Sequence, residues 1–196
     1  MSQKSSYLNK KLLIWVSANI LGFAALGVLL FAAPSLMSVS GIVPTILIIS
    51  IPIGLAQWIA LRRILHTSVL WILTVPIGLL LIVLINRTIP DGLGLGVDDE
   101  SIAVLIAWYF ALGFSIGLPQ WLILRSHLSN SSFWVLGSSI AVATGFGFVL
   151  ATDLINQSVI ISAIVVVLIY TMITGLTLSL LLVYNNYSQS YLTNAT

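Results

Sequence analysis

Six stretches of almost uninterrupted apolar residues dominate this chain, at about 12–33, 42–61, 69–85, 102–124, 133–151 and 159–183. A helix rises 1.5 Å per residue, so about 20 apolar residues cross a hydrocarbon core of roughly 30 Å. Only 7 Lys+Arg and 5 Asp+Glu occur in 196 residues, 6% charged against 59% hydrophobic. A soluble domain carries roughly 25% charged residues, so soluble, disordered and nucleic-acid-binding classes are excluded. The pattern predicts an all-α polytopic membrane bundle of six helices, one domain over 1–196, with the lipid bilayer as its first partner. Residues 184–196 read as a polar cytoplasmic tail. The third span carries Pro76 in its middle, which a neighbouring helix would have to accommodate. The fifth holds Ser138, Ser139, Thr144 and three glycines, and is expected to face other helices.

The charges segregate. Lys4, Lys10 and Lys11 precede the first span, Arg62 and Arg63 follow the second, and Arg125 follows the fourth. Arg87, Asp91, Asp98, Asp99 and Glu100 fall between spans three and four, and Asp153 between five and six. Basic residues favour the cytoplasmic side, which puts both termini there. The basic start followed by an apolar run resembles a signal peptide, but that run is longer than a secretory core of roughly 7–15 residues. It is read as a retained span.

One pattern recurs. Gly54-Leu55-Ala56-Gln57-Trp58-Ile59-Ala60-Leu61-Arg62 matches Gly117-Leu118-Pro119-Gln120-Trp121-Leu122-Ile123-Leu124-Arg125 at an offset of 63. Trp71 and Trp134 head the following spans at the same offset, with Gly78 and Ala141 seven residues on. The first span has Trp15 with Gly22 seven residues later; the sixth keeps Gly175-Leu176 but has Leu178 and Ser179 where Gln and Trp would stand. Self-similarity at a fixed period marks a repeat architecture. Three tandem two-helix units of like orientation would be related by an axis along the membrane normal, unlike an inverted repeat.

Repeated G-x-x-Q-W-x-x-L-R followed by a Trp-headed helix resembles a group of uncharacterised multi-span bacterial membrane proteins, common in cyanobacteria and green non-sulfur bacteria. The resemblance is strongest over 54–145. It implies the helical architecture and a bacterial inner-membrane or thylakoid-type location, and it implies no activity. The Pro-x-acidic-x-x-basic signature of three-repeat mitochondrial carriers is absent.

The candidate site residues are Gln57, Trp58, Arg62, Gln120, Trp121 and Arg125. On a helical wheel each set falls within one face about 140° wide. They could line a cavity in which the two amides bind a ligand. Alternatively, the glycine permits close approach, the Gln bonds a neighbouring helix and the Arg snorkels. Trp15, Trp71 and Trp134 are expected, with the Lys and Arg residues, to anchor helix ends to anionic headgroups. Asn19 is the one amide well inside the first span and reads as helix glue. Each Gln sits five residues before its arginine, so about 7–8 Å deeper at 1.5 Å per residue. Because the two lie on different helices, their removal is expected to be additive.

No span carries a charge in its interior, which argues against proton-coupled transport and voltage sensing. The acids at 98–100 read as a cap on the fourth span rather than a calcium site. The Gly-x-Gly-x-Gly at 92–96 lacks a dinucleotide-binding context. His66 and His127 read as solvated loop residues. Zero cysteine removes disulfides, thiolate metal sites and cysteine nucleophiles, and no cofactor or metal is implied. No Walker, Gly-x-Ser-x-Gly or His-Glu-x-x-His motif occurs. The favoured reading is a non-enzymatic accessory, scaffold or assembly protein acting through helix contacts, with a small-solute channel and then an intramembrane enzyme as the alternatives.

Overall fold

The computed structural model describes residues 2–32, 41–88, 102–152 and 158–194. Asp91, Asp98, Asp99, Glu100 and Asp153 lie outside the described residues, and so do the capping and calcium readings of 98–100. Six helices follow in order: α1 (Ser2–Ala32), α2 (Ile42–Leu65), α3 (Thr74–Thr88), α4 (Ile102–Leu124), α5 (Phe133–Ala151) and α6 (Val159–Asn194). Among the described residues six helical spans are long and apolar enough to cross a membrane, the third as Val69–Arg87, with the turn before α3 included, so the chain is an all-helical integral membrane bundle, as its apolar runs predict. α6 continues well beyond its apolar stretch. The expected polar tail is helical to Asn194 because no Gly or Pro follows Gly175 to stop the helix.

The third span differs from its sequence reading. Residues Val69–Leu73 form a 3₁₀ turn capped by Ser68, whose side chain accepts from Leu70 N at 3.2 Å. α3 begins only at Thr74, so Pro76 occupies its first turn rather than its middle. A first-turn residue has no intrahelical acceptor for its N–H, so proline costs nothing there. No neighbouring helix has to accommodate a kink.

Each helix packs on its chain neighbours and α6 returns to α1, closing a ring of six. Glycines set the approach. A Cβ on Gly54 would lie 2.6 Å from Ile72 O, one on Gly117 3.1 Å from Val135 Cα, and one on Gly175 3.2 Å from the Trp15 ring. Ile72 and Val135 each directly follow a span-heading tryptophan, and Val16, also beside Gly175, follows Trp15. The other interfaces show a second register. A Cβ on Gly22 would lie 3.2 Å from Ile53 Cα, and one on Gly78 2.5 Å from Ile116 Cα. α5 is the most enclosed helix, burying Gly137, Ser138, Ser139, Ala141 and Gly145, as its small residues predict.

One apolar cluster fills the ring near the ends that carry Arg62 and Arg125: Trp15, Leu61, Ile64, Trp71, Leu124, Leu128, Trp134, Leu178 and Leu181. A second, around Ala141, Val142 and Tyr170, lies deeper. The three span-heading tryptophans are therefore 0% exposed, not interfacial anchors. Their large apolar area gains more inside the ring than at the headgroups, provided each indole N–H finds an acceptor.

Candidate functional site

Those acceptors come from the even-numbered helices. Trp71 Nε1 donates to Gln57 Oε1 at 3.3 Å, and Trp134 Nε1 donates to Gln120 Oε1 at 2.8 Å. The same local turn presents both indoles: Trp71 N donates to Ser68 O at 3.1 Å and Trp134 N to Ser131 O at 2.9 Å. At the α6–α1 interface Leu178, three residues after Gly175 as Gln57 is after Gly54, is buried. There Trp15 Nε1 donates to Thr174 Oγ1 at 3.1 Å, and that hydroxyl donates to Tyr170 O at 2.7 Å.

The three pairs are joined at the centre of the ring. Gln120 Nε2 donates to Gln57 Oε1 at 3.3 Å, and Gln57 Nε2 donates to Asn19 Oδ1 at 2.8 Å. Asn19 Nδ2 then donates to Trp15 O at 2.9 Å. Edge-to-face contacts link the indoles, Trp15–Trp134 at 5.5 Å and Trp71–Trp134 at 6.1 Å between centroids. Gln57, Gln120 and Asn19 are all 0% exposed. An amide in hydrocarbon costs several kcal/mol unless it is bonded; here each amide oxygen and nitrogen has a partner, all on another element except that of Asn19 Nδ2, which is Trp15 O of its own helix. Such a layer fixes register and orientation, and none of the side chains that form it is charged.

Of the six sequence-predicted residues, the two glutamines meet at the centre and the other four pair off at the rim. The Arg62 guanidinium sits over the Trp58 ring at 5.3 Å from its centroid, and Arg125 over Trp121 at 5.7 Å. Both arginines are exposed and both tryptophans half-buried. Asn19 is the helix glue its position suggested. Thr174 and Tyr170 were not singled out from the sequence. The available signal was that Thr174 stands one helical turn before Leu178, on the face that lost its amide.

Two apolar grooves of about 620 and 370 Å³ open on the outer wall, between α5 and α6 and between α1 and α6. Neither is lined by Gln57 or Gln120. Among the described residues no group of three or more His, Asp or Glu gathers. His66 is exposed at the end of α2 in the left-handed conformation, with φ 54°, and His127 Nδ1 lies 2.8 Å from Ser126 Oγ. Compared with known protein families, curated proteins and solved structures, the chain matches none.

Proposed function

We propose that this chain is a non-catalytic accessory or assembly protein of a bacterial inner or thylakoid-type membrane, with both termini cytoplasmic. It acts on other membrane proteins through its outer helix faces. The observation that carries the reading is the closed amide–indole layer. The two glutamines that the sequence pattern repeats spend their hydrogen bonds on each other, on two indoles and on Asn19, leaving them little capacity for a solute. The matched glycine contacts of Gly54, Gly117 and Gly175 support a construction from three tandem two-helix units, the third having traded Gln for Leu178 and Thr174. Six of the seven Lys+Arg lie in the first third of α1, in the last turn of α2 or just past α4, which supports the orientation.

The test is isolation of the tagged chain from native membranes in mild detergent, with quantification of what remains after gel filtration. The reading expects a membrane protein in fixed stoichiometry whose assembly falls when the chain is deleted. Isolation of the chain alone, together with accelerated glycerol or urea flux in proteoliposomes, would instead establish a channel.

A further inference from the structure

We propose that the Arg62–Trp58 and Arg125–Trp121 pairs are two stations for the phosphodiester of an anionic phospholipid. The inference is independent of the accessory reading and rests on the rim alone.

Each arginine follows its tryptophan by one helical turn, and the guanidinium is held over the indole face at 5.3 and 5.7 Å. Trp58 in turn packs on the apolar core cluster, so its ring is a fixed platform. A stacked guanidinium gives up little of its fork of donors, which matches a phosphate better than a freely moving ammonium does. Both arginines lie at the ends of apolar helices, Arg62 in the last turn of α2 and Arg125 just past α4. That is the depth of the lipid phosphates.

None of the described residues is an Asp or a Glu, and in sequence all five acids come after α3 or α5, not beside the ends of α2 and α4 that carry the arginines. Below each arginine the helix face turned outward is apolar: Leu55 and Ile59 on α2 are 41% and 44% exposed, and Leu122 on α4 is 49% exposed. A cation above an outward hydrocarbon stripe fits a lipid, whose chains lie on the stripe while its phosphate meets the fork. Eight residues after Gly54 and Gly117 stand Arg62 and Arg125, whereas eight after Gly175 stands Val183. The count is therefore two stations per chain, not three.

Native mass spectrometry of the purified full chain tests this, with phosphatidylglycerol, phosphatidylcholine or inorganic phosphate added in turn. Two phosphatidylglycerols should be retained under activation that strips phosphatidylcholine. Arg62→Gln should leave one, and Arg62→Gln/Arg125→Gln none. At roughly fivefold per arginine near a membrane surface, each station that loses its arginine should bind phosphatidylglycerol about fivefold more weakly. Arg63→Gln, which removes an exposed charge with no indole beneath it, should still retain two. Melting curves in detergent establish that each variant is folded, and Arg62→Lys/Arg125→Lys provides a second variant that keeps the charge; it should bind with intermediate strength. Unchanged retention in the folded double Gln variant would overturn the assignment. So would equal retention of phosphatidylcholine, or competition by inorganic phosphate at equal concentration, which would mark a site for soluble anions.

Discussion

Gln57 and Gln120 occupy the same place in two copies of one nine-residue pattern, 63 residues apart, and their side-chain amides are hydrogen-bonded to each other at 3.3 Å. Gln57 Oε1 accepts from both Gln120 and Trp71, and its Nε2 donates to Asn19. Gln57 is therefore the junction of the layer, and Gln120 a branch that also accepts from Trp134. The ring closes around a bond between equivalents.

That bond makes the two sites unequal and coupled. Gln57→Leu strands the donors of Trp71 and Gln120 and should cost about 2–3 kcal/mol; Gln120→Leu strands chiefly Trp134 and should cost about 1–2 kcal/mol. The additive behaviour expected from separate helices is replaced by coupling of about 0.5–1 kcal/mol, because both single variants lose the same hydrogen bond. Unfolding titrations of both single variants and the double variant check this. Strict additivity would place the two amides out of contact.

The glycine contacts predict a sharp contrast among alanine substitutions. Gly54→Ala and Gly78→Ala would drive a Cβ to 2.6 Å from Ile72 O and to 2.5 Å from Ile116 Cα, both backbone atoms. Each should destabilise by about 1–3 kcal/mol through forced helix separation. Gly27 has nothing within 4 Å of its Cβ position, so Gly27→Ala should leave the melting temperature unchanged or raise it slightly. Equal effects at all three positions would mean that the helices do not approach as described.

At the α6–α1 interface a hydroxyl does the work of an amide. Thr174→Val keeps the shape and removes the acceptor of Trp15 Nε1, which should cost about 1–2 kcal/mol. Adding Leu178→Gln in that background puts an amide where the other two patterns have one. It should recover part of the loss in thermal unfolding. A further loss on adding it would show that the third interface does not share the register of the first two.

Much of this fold is legible in the chain because the bilayer leaves few solutions: apolar run length gives the helices, and the small residues of the fifth span mark the most buried helix. Three things were not legible. The tryptophans heading the spans carry an interfacial signature, and only the tertiary pairing with Gln57, Gln120 and Thr174 explains why they are wholly buried. Pro76 reads as a mid-helix break until Ser68 and the 3₁₀ turn shift the helix start to Thr74. The partners Thr174 and Tyr170 come from α6, whose sequence lacks the glutamine of the other two patterns. A linear motif names its own residues and not the groups that satisfy them.

The central claim, that the glutamine layer is a dry structural joint and not the wall of a solute path, is tested most directly by thiol accessibility. The chain has no cysteine, so a single introduced thiol reports alone. Gln57→Cys and Gln120→Cys probe the layer itself, and Ala60→Cys, 1% exposed on the next turn, probes it without removing an amide; the exposed Arg63→Cys serves as the positive control. In intact membranes, with a water-soluble maleimide applied from either side, the account predicts prompt labelling at 63 and protection at 57, 60 and 120. Rapid labelling at 57, 60 and 120 would contradict it and place water at the centre of the ring.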